Sequence, residues 1–225
     1  MKCFSELSVA PFAAGVYIFL RRMNTPHLDH PGRQALKTQR TRARLLEATL
    51  SLIREHGYAA ATSQRIARRA GVTWGAAQHH FGSKEQILET ILGLAYARFI
   101  DVMGAAPLPR GSRAARARLF VRRMWAHYQG DYYRVSLEIL RATRGRRKRR
   151  ARAWEQRQGR AHLRVMRALF HETQLTDAQL REALDFMHYC LTGLAIGRVF
   201  EGQVSHTARH LKRVADAFAS MLGAH

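Results

Sequence analysis

A chain of 225 residues can bury a sizeable core and fits one or two domains, while 38 Lys and Arg against 16 Asp and Glu leave a formal net charge of +22. Lys occurs only at positions 2, 37, 84, 148 and 212, so the excess is almost all arginine, which binds phosphate in a bidentate way. Arginine enrichment also follows from a GC-rich genome, so charge alone speaks to solubility and nonspecific binding. Cys3 and Cys190 are the only cysteines, which excludes a disulfide scaffold and a cysteine zinc module and makes a reducing cytoplasm the expected compartment.

The N-terminal run LSVAPFAAGVYIFL (residues 7 to 20) is shorter than the ~20 apolar residues a membrane span needs. Its charges also lie on the wrong side for a signal peptide, with Glu6 before it and Arg21 and Arg22 after it. Residues 1–37 are expected to be a flexible leader, or the product of a misassigned start.

From residue 38 onward the apolar pattern is helical, and no segment alternates like a strand. TQRTRARLLEATLSLIREHGY sets Leu45, Thr49 and Leu52 on one line and Leu46, Leu50 and Ile53 on the next, and Gly57 ends this first helix. Thr62 can cap a short second helix, SQRIARRA, with Ile66 and Ala67 inward and Gly71 supplying a positive φ at its end. Thr73 can cap a third, WGAAQHHF, anchored by Phe81. Ala67 and Gly71, four apart, give the slim contact that two steeply crossing helices need, so the spacing predicts a helix-turn-helix with the third helix open to a major groove. Ser83 and Gln86 form an S-x-x-Q capping box for a fourth helix, with Lys84 in its first turn.

This run, TSQRIARRAGVTWGAAQHHFGSKEQIL after a helix ending EHGY, resembles the N-terminal DNA-binding domain of the TetR/AcrR family of bacterial transcriptional regulators over residues 38–100. The resemblance implies an all-α protein: a three-helix helix-turn-helix domain followed by a helical ligand-binding and dimerisation domain over 101–225. It implies that Gln64, Trp74, Gly75, Ala76, Gln78 and His79 face bases, while Thr62, Ser63, His80 and Lys84 meet phosphates, with Thr73 at the cap between them. Gln78 departs from the tyrosine usual there, and Trp74 is bulkier than the common occupant. From the residues alone, a Gln at such a position pairs with adenine or is simply solvated, and Trp74 is either exposed or core. His79 and His80 point about 100° apart on a helix, which disfavours a shared metal. No metal site and no cofactor is expected.

Beyond the Pro-bearing break APLPRGS (106 to 112), Ser112 can cap a helix carrying Phe120, Val121, Met124 and Tyr128. Such stripes are ordinarily core, but Phe120, Met124, Trp125, Tyr128, Tyr132, Tyr133, Trp154 and Met166 concentrate aromatic and soft side chains suited to an apolar or aromatic small-molecule ligand. RGRRKRRARA (144 to 153) is a solvated charge run, or else a seat for a phosphate-bearing ligand or flanking DNA. Thr176 and Gln179 box the start of a helix with two apolar faces. Leu180, Leu184, Met187, Leu191 and Leu194 form one. Phe186, Cys190, Gly193, Gly197 and Phe200 form the other, which together with Leu211, Val214 and Phe218 of the last helix is expected to make the homodimer interface, as the resemblance implies.

A ligand-responsive regulator, released as a dimer from a palindromic operator in double-stranded DNA, is the function these features favour. A nonspecific architectural nucleic-acid binder is the alternative from charge alone. Nothing marks an enzyme: P-loop, HExxH and nucleophile elbow are missing, and HETQL at His171 lacks a second histidine.

Overall fold

Every regular element among the described residues of the computed structural model is helical, as the apolar periodicity predicts. The structure describes residues 33–104, 111–144 and 148–223, the last of these with side chains from Gly159 onward. In chain order the α-helices are α1 (Arg33–His56), α2 (Ser63–Arg69), α3 (Trp74–Phe81), α4 (Lys84–Gly104), α5 (Arg113–Tyr128), α6 (Asp131–Thr143), α7 (Lys148–Leu169), α8 (Asp177–Glu201) and α9 (Thr207–Met221), with a 3-10 turn at Tyr58–Ala60. The apolar run at 7–20, most of the 106–112 break, the side chains of the basic run beyond Arg144 and that of Trp154 lie outside the described residues.

The chain divides into two compact units: residues up to 95 with 135–142, and residues 96–134 with 143 onward. In the first, α1 starts at Arg33, so Arg33–Lys37, read with the leader from sequence, are helical. Leu45, Leu46, Thr49, Leu50, Leu52 and Ile53 are all buried along α1, the two apolar lines expected of it. Gly57 at φ 78° and Gly71 at φ 66° take the left-handed backbone that stops α1 and turns the chain after α2. α1 packs on both α2 and α3, and α2 on α3, around the buried Ile66, Ala67, Ala77 and Phe81. Glu138, in the second half of α6, accepts the Tyr58 N–H at 2.9 Å and ties that segment to the 3-10 turn.

Local capping explains where the helices begin. Thr62 Oγ1 accepts from the Arg65 N–H, Thr73 Oγ1 from Ala76, and Ser112 Oγ from Ala115. Ser83 and Gln86 exchange bonds, with Ser83 N–H donating to Gln86 Oε1 at 3.1 Å and Gln86 N–H to Ser83 Oγ at 3.3 Å. Thr176 and Gln179 repeat the box at α8.

In the second unit α9 packs against α5 and α8, and α8 also meets α5 and α7. Phe120 of α5 stacks on Phe218 of α9 at 5.7 Å between ring centres, and Phe170 stands edge-on to both. Val214 and Phe218 are therefore inside the chain's own core, Phe218 with no exposed surface. That corrects the expectation that both would sit on a dimer face, since Phe218 has no free surface, and Val214 only 8%, to offer a second copy. Leu211 is half-buried on the same helix. On α8, Leu180, Leu184, Met187 and Leu191 are buried and Leu194 half-buried, while Tyr189, Ile196, Val199 and Phe200 are exposed, Phe200 by 83%. Phe186 and Cys190 are half-buried beside them and Gly193 is open to solvent. Gly197 differs: a Cβ there would come 3.1 Å from the Val204 Cγ2, so its slimness serves the turn after α8 in this same chain.

Candidate nucleic-acid interface

α3 has two sides of opposite character. Ala77 and Phe81 are buried, whereas Gly75, Ala76, Gln78 and His79 are exposed and Trp74 and His80 half-exposed. Gly75 has open space where a Cβ would stand. On α2, Gln64 is exposed and Ser63 half-exposed, with Thr62 exposed at the cap. The Thr62 and Thr73 hydroxyls accept backbone N–H bonds at these two N-termini. Each hydroxyl still has a proton to donate to a phosphate oxygen.

Lys84 is half-exposed in the first turn of α4, with its Nζ 4.7 Å from the centre of the Tyr58 ring. The sequence expectation did not include that contact. His79 and His80 are edge-to-face, 5.5 Å between ring centres. Burial, then repulsion from His79 and Arg42, lowers the His80 pKa and favours its neutral form. Among the described residues no three His, Cys, Asp or Glu side chains are gathered as metal ligands.

A basic stripe on α1 went unnoticed in the sequence. Lys37, Arg40 and Arg44 are exposed and recur at helical spacing on one face. Arg44 comes near the turn between α2 and α3, where its Nη1 would lie 3.8 Å from a Cβ on Gly71. Arg69 of α2 reaches both carboxylate oxygens of Glu55 at 2.8 Å and links α2 to α1, an exposed pair that contributes little to stability.

The sequence-predicted ligand residues fall into two groups within the second unit. Phe120 belongs to the Phe170 and Phe218 cluster, and Met124, Trp125 and Met166 are buried as well. Tyr128 and Tyr133 instead belong to a polar aromatic cluster with ring centres 4.3 Å apart. Tyr128 pairs with His188 Nδ1, and Tyr133 Oη lies 2.5 Å from Thr192 Oγ1. Tyr132 is half-exposed under the Arg98 guanidinium. His127 and His162 flank Phe99 at 5.3 and 4.7 Å, and sequence reasoning missed both, because a histidine carries no signal of which side of a helix is covered.

Burial, and then the nearby Arg98, pushes the His127 pKa from 6.5 down to about 4. Burial, then His188 and Arg181, does the same to His162. Both folded values lie below the unfolded one, so the unfolded chain binds more protons between about pH 4 and 6.5. The stability involved is fully present above pH 6.5 and is lost as pH falls, by up to about 3 kcal/mol for each group at 1.36 kcal/mol per unit. Thermal melts from pH 7.5 to 4.5 are expected to show this loss. The double replacement His127→Gln and His162→Gln should flatten it, and an unchanged slope would assign the acid sensitivity to other groups.

Two short helices joined by a glycine turn, the second presenting one polar side beside an arginine-lined α1, define a DNA-binding domain of the helix-turn-helix class. Residues 45–91 match the model of the bacterial regulatory proteins of the tetR family. The HTH-type transcriptional regulator BetI of Rhizobium meliloti is 39% identical over 85 residues, 36% of this chain and 42% of that protein. The chain thus spans less than half the length of this relative. The likeness in fold extends further. A transcriptional regulator from Rhodococcus sp. RHA1 superposes with a TM-score of 0.61 at 17% identity, covering 80% of this chain and 95% of that one. FadR from Bacillus subtilis, solved in complex with stearoyl-CoA, superposes with a TM-score of 0.54 at 18% identity, covering 80% and 96%. No helix among the described residues is long and apolar enough to cross a membrane.

Proposed function

We propose that this chain is a sequence-specific transcriptional regulator that binds operator DNA as a homodimer and is released when its second unit takes up a small molecule. The observation that carries the reading is the two-sided α3, with Ala77 and Phe81 buried, Gly75, Ala76, Gln78 and His79 exposed and Trp74 half-exposed. Gln78 offers a bidentate amide to adenine N6 and N7, and Gly75 and Ala76 let the helix approach base edges closely. Gln64 adds a second reader from α2. Thr62, Ser63, Thr73, His80 and Lys84 then hold phosphates, joined by Lys37, Arg40 and Arg44 of α1.

The exposed apolar face of α8 supplies the surface for a two-fold dimer, and two α3 helices a helical turn apart match a palindrome. The ligand's place in this reading is among the buried tyrosines, whose neutral neighbours Thr192 and His188 give hydrogen bonds without charge. Its action need supply only the difference in affinity between the bound and released states, ~1 to 3 kcal/mol of coupling being typical.

Selection from a random duplex library with the full chain is the test. Gln78→Ala is expected to weaken the selected duplex by ~1 to 3 kcal/mol and leave a shuffled duplex nearly unchanged. Equal loss on both would make Gln78 a backbone contact and remove the main base reader.

A further inference from the structure

α3 is only eight residues long, so most of its backbone groups lie in its first or last turn and need partners from elsewhere. Thr73 supplies one at the N-terminus. At the other end the Gly82 N–H returns to the Gln78 carbonyl at 2.6 Å, and the His80 carbonyl is satisfied from a different helix. Arg42 of α1 donates Nη1 to it at 2.9 Å, and its guanidinium carbon lies 4.4 Å from the centre of the Phe81 ring.

One planar side chain therefore does two things to the last turn of α3. It places a positive charge at the negative end of the helix, where a charge-assisted hydrogen bond is strongest. Its guanidinium also lies over the ring that plugs α3 into the core, where a flat guanidinium covers more of the ring than an ammonium does. Arg42 is half-buried, with burial lowering its pKa, so it is built into the domain and differs from the solvated Arg40 and Arg44 on the same helix. Gln78 and His79 lie on the turn it grips and line the same surface cleft.

We infer that Arg42 is a positioning residue for base recognition, fixing the angle and depth of α3 from α1 through the His80 carbonyl and the Phe81 ring without reading DNA itself. This rests on the reading of α3 as the base-reading helix. A tilt of α3 pivoting at Thr73 displaces its far end most, so loss of this grip moves Gln78 and His79 more than Trp74. Arg42 thereby acts on sequence preference, while the exposed arginines of α1 act on overall affinity.

Arg42→Lys in the full chain keeps the charge and removes the planar stack, and two readouts follow. In the DNA-free protein, amide hydrogen exchange of the segment spanning α3 should quicken about fivefold, as expected when the contact with the Phe81 ring is lost and the bond to the His80 carbonyl is less well aligned, with α1 unchanged. On the duplex selected by the unaltered protein, affinity should fall about tenfold, and on a shuffled duplex less than about twofold, since backbone contacts carry no sequence information. Unchanged exchange would overturn the inference. So would equal loss on both duplexes with a shallower salt dependence, which marks a direct phosphate contact. If Arg42→Lys does not fold, Arg42→Gln, which keeps a neutral donor for the His80 carbonyl and loses both the charge and the guanidinium over Phe81, should give the same pattern at equal or larger size. A library that returns no enriched sequence would defeat base reading by α3, and the exchange measurement would still decide whether Arg42 holds that helix.

Discussion

Phe218→Ala is expected to destabilise the chain by about 3 to 5 kcal/mol, the range for emptying a buried aromatic site. Phe218 has no exposed surface, stacks on Phe120 and meets Phe170 edge-on, so its loss opens one cavity where α5, α9 and the end of α7 come together. Three rings in contact also forfeit their mutual geometry, a further loss beyond area. Chemical denaturation should show the midpoint falling with little change in slope, as for a native state that loses packing alone. A loss below about 1 kcal/mol would contradict its place in the core.

The second large effect concerns α8. Tyr189, Ile196 and Phe200 stand exposed near Phe186, Cys190 and Gly193, at helical spacing and on the side of α8 opposite its buried leucines. A single chain rarely leaves so continuous an apolar stripe to water, and a second copy is the occupant that a two-fold DNA site requires. Phe200→Glu should turn dimer into monomer in sedimentation equilibrium. Burying an unpaired carboxylate costs several kcal/mol, so the dissociation constant should rise by more than about a hundredfold. Affinity for the selected duplex should fall with it, because one half-site no longer holds the other. Far-ultraviolet circular dichroism should be preserved, since Phe200 makes little contact with its own chain. A variant that remains dimeric at every concentration would move the interface elsewhere.

These two residues also show what a sequence can reveal. Thr62, Thr73, Ser83 with Gln86, and Thr176 with Gln179 act within three residues of themselves, so their capping was legible from spacing alone. The inward sides of α1, α2 and α3 were legible as well, since Leu45, Leu46, Ala67 and Phe81 are buried, while the outward Gln78 and His79, which are exposed, were expected from the resemblance. Periodicity tells that a stripe must be covered and is silent on which chain covers it. α9 carries one apolar stripe and spends it on Phe120 and Phe170, which is why Val214 and Phe218 moved from the expected interface into the core. α8 carries two, and of the second this chain leaves Phe200 exposed and Phe186 and Cys190 half-buried. Contacts between distant polar groups left no trace in the pattern. Arg42 is one arginine among many until its distance to the His80 carbonyl is known, and His127 and His162 are ordinary polar letters until Phe99 is seen between them.

The most direct measurement is the ratio of affinities of the full chain for its selected duplex and for a shuffled duplex of equal length and composition, followed through a salt series. A base-reading α3 predicts a ratio of at least about 10³, with both affinities falling as salt rises and the preference surviving. Equal affinities for the two duplexes at every salt concentration would mean that the +22 charge alone binds DNA, and would contradict sequence-specific regulation by this chain.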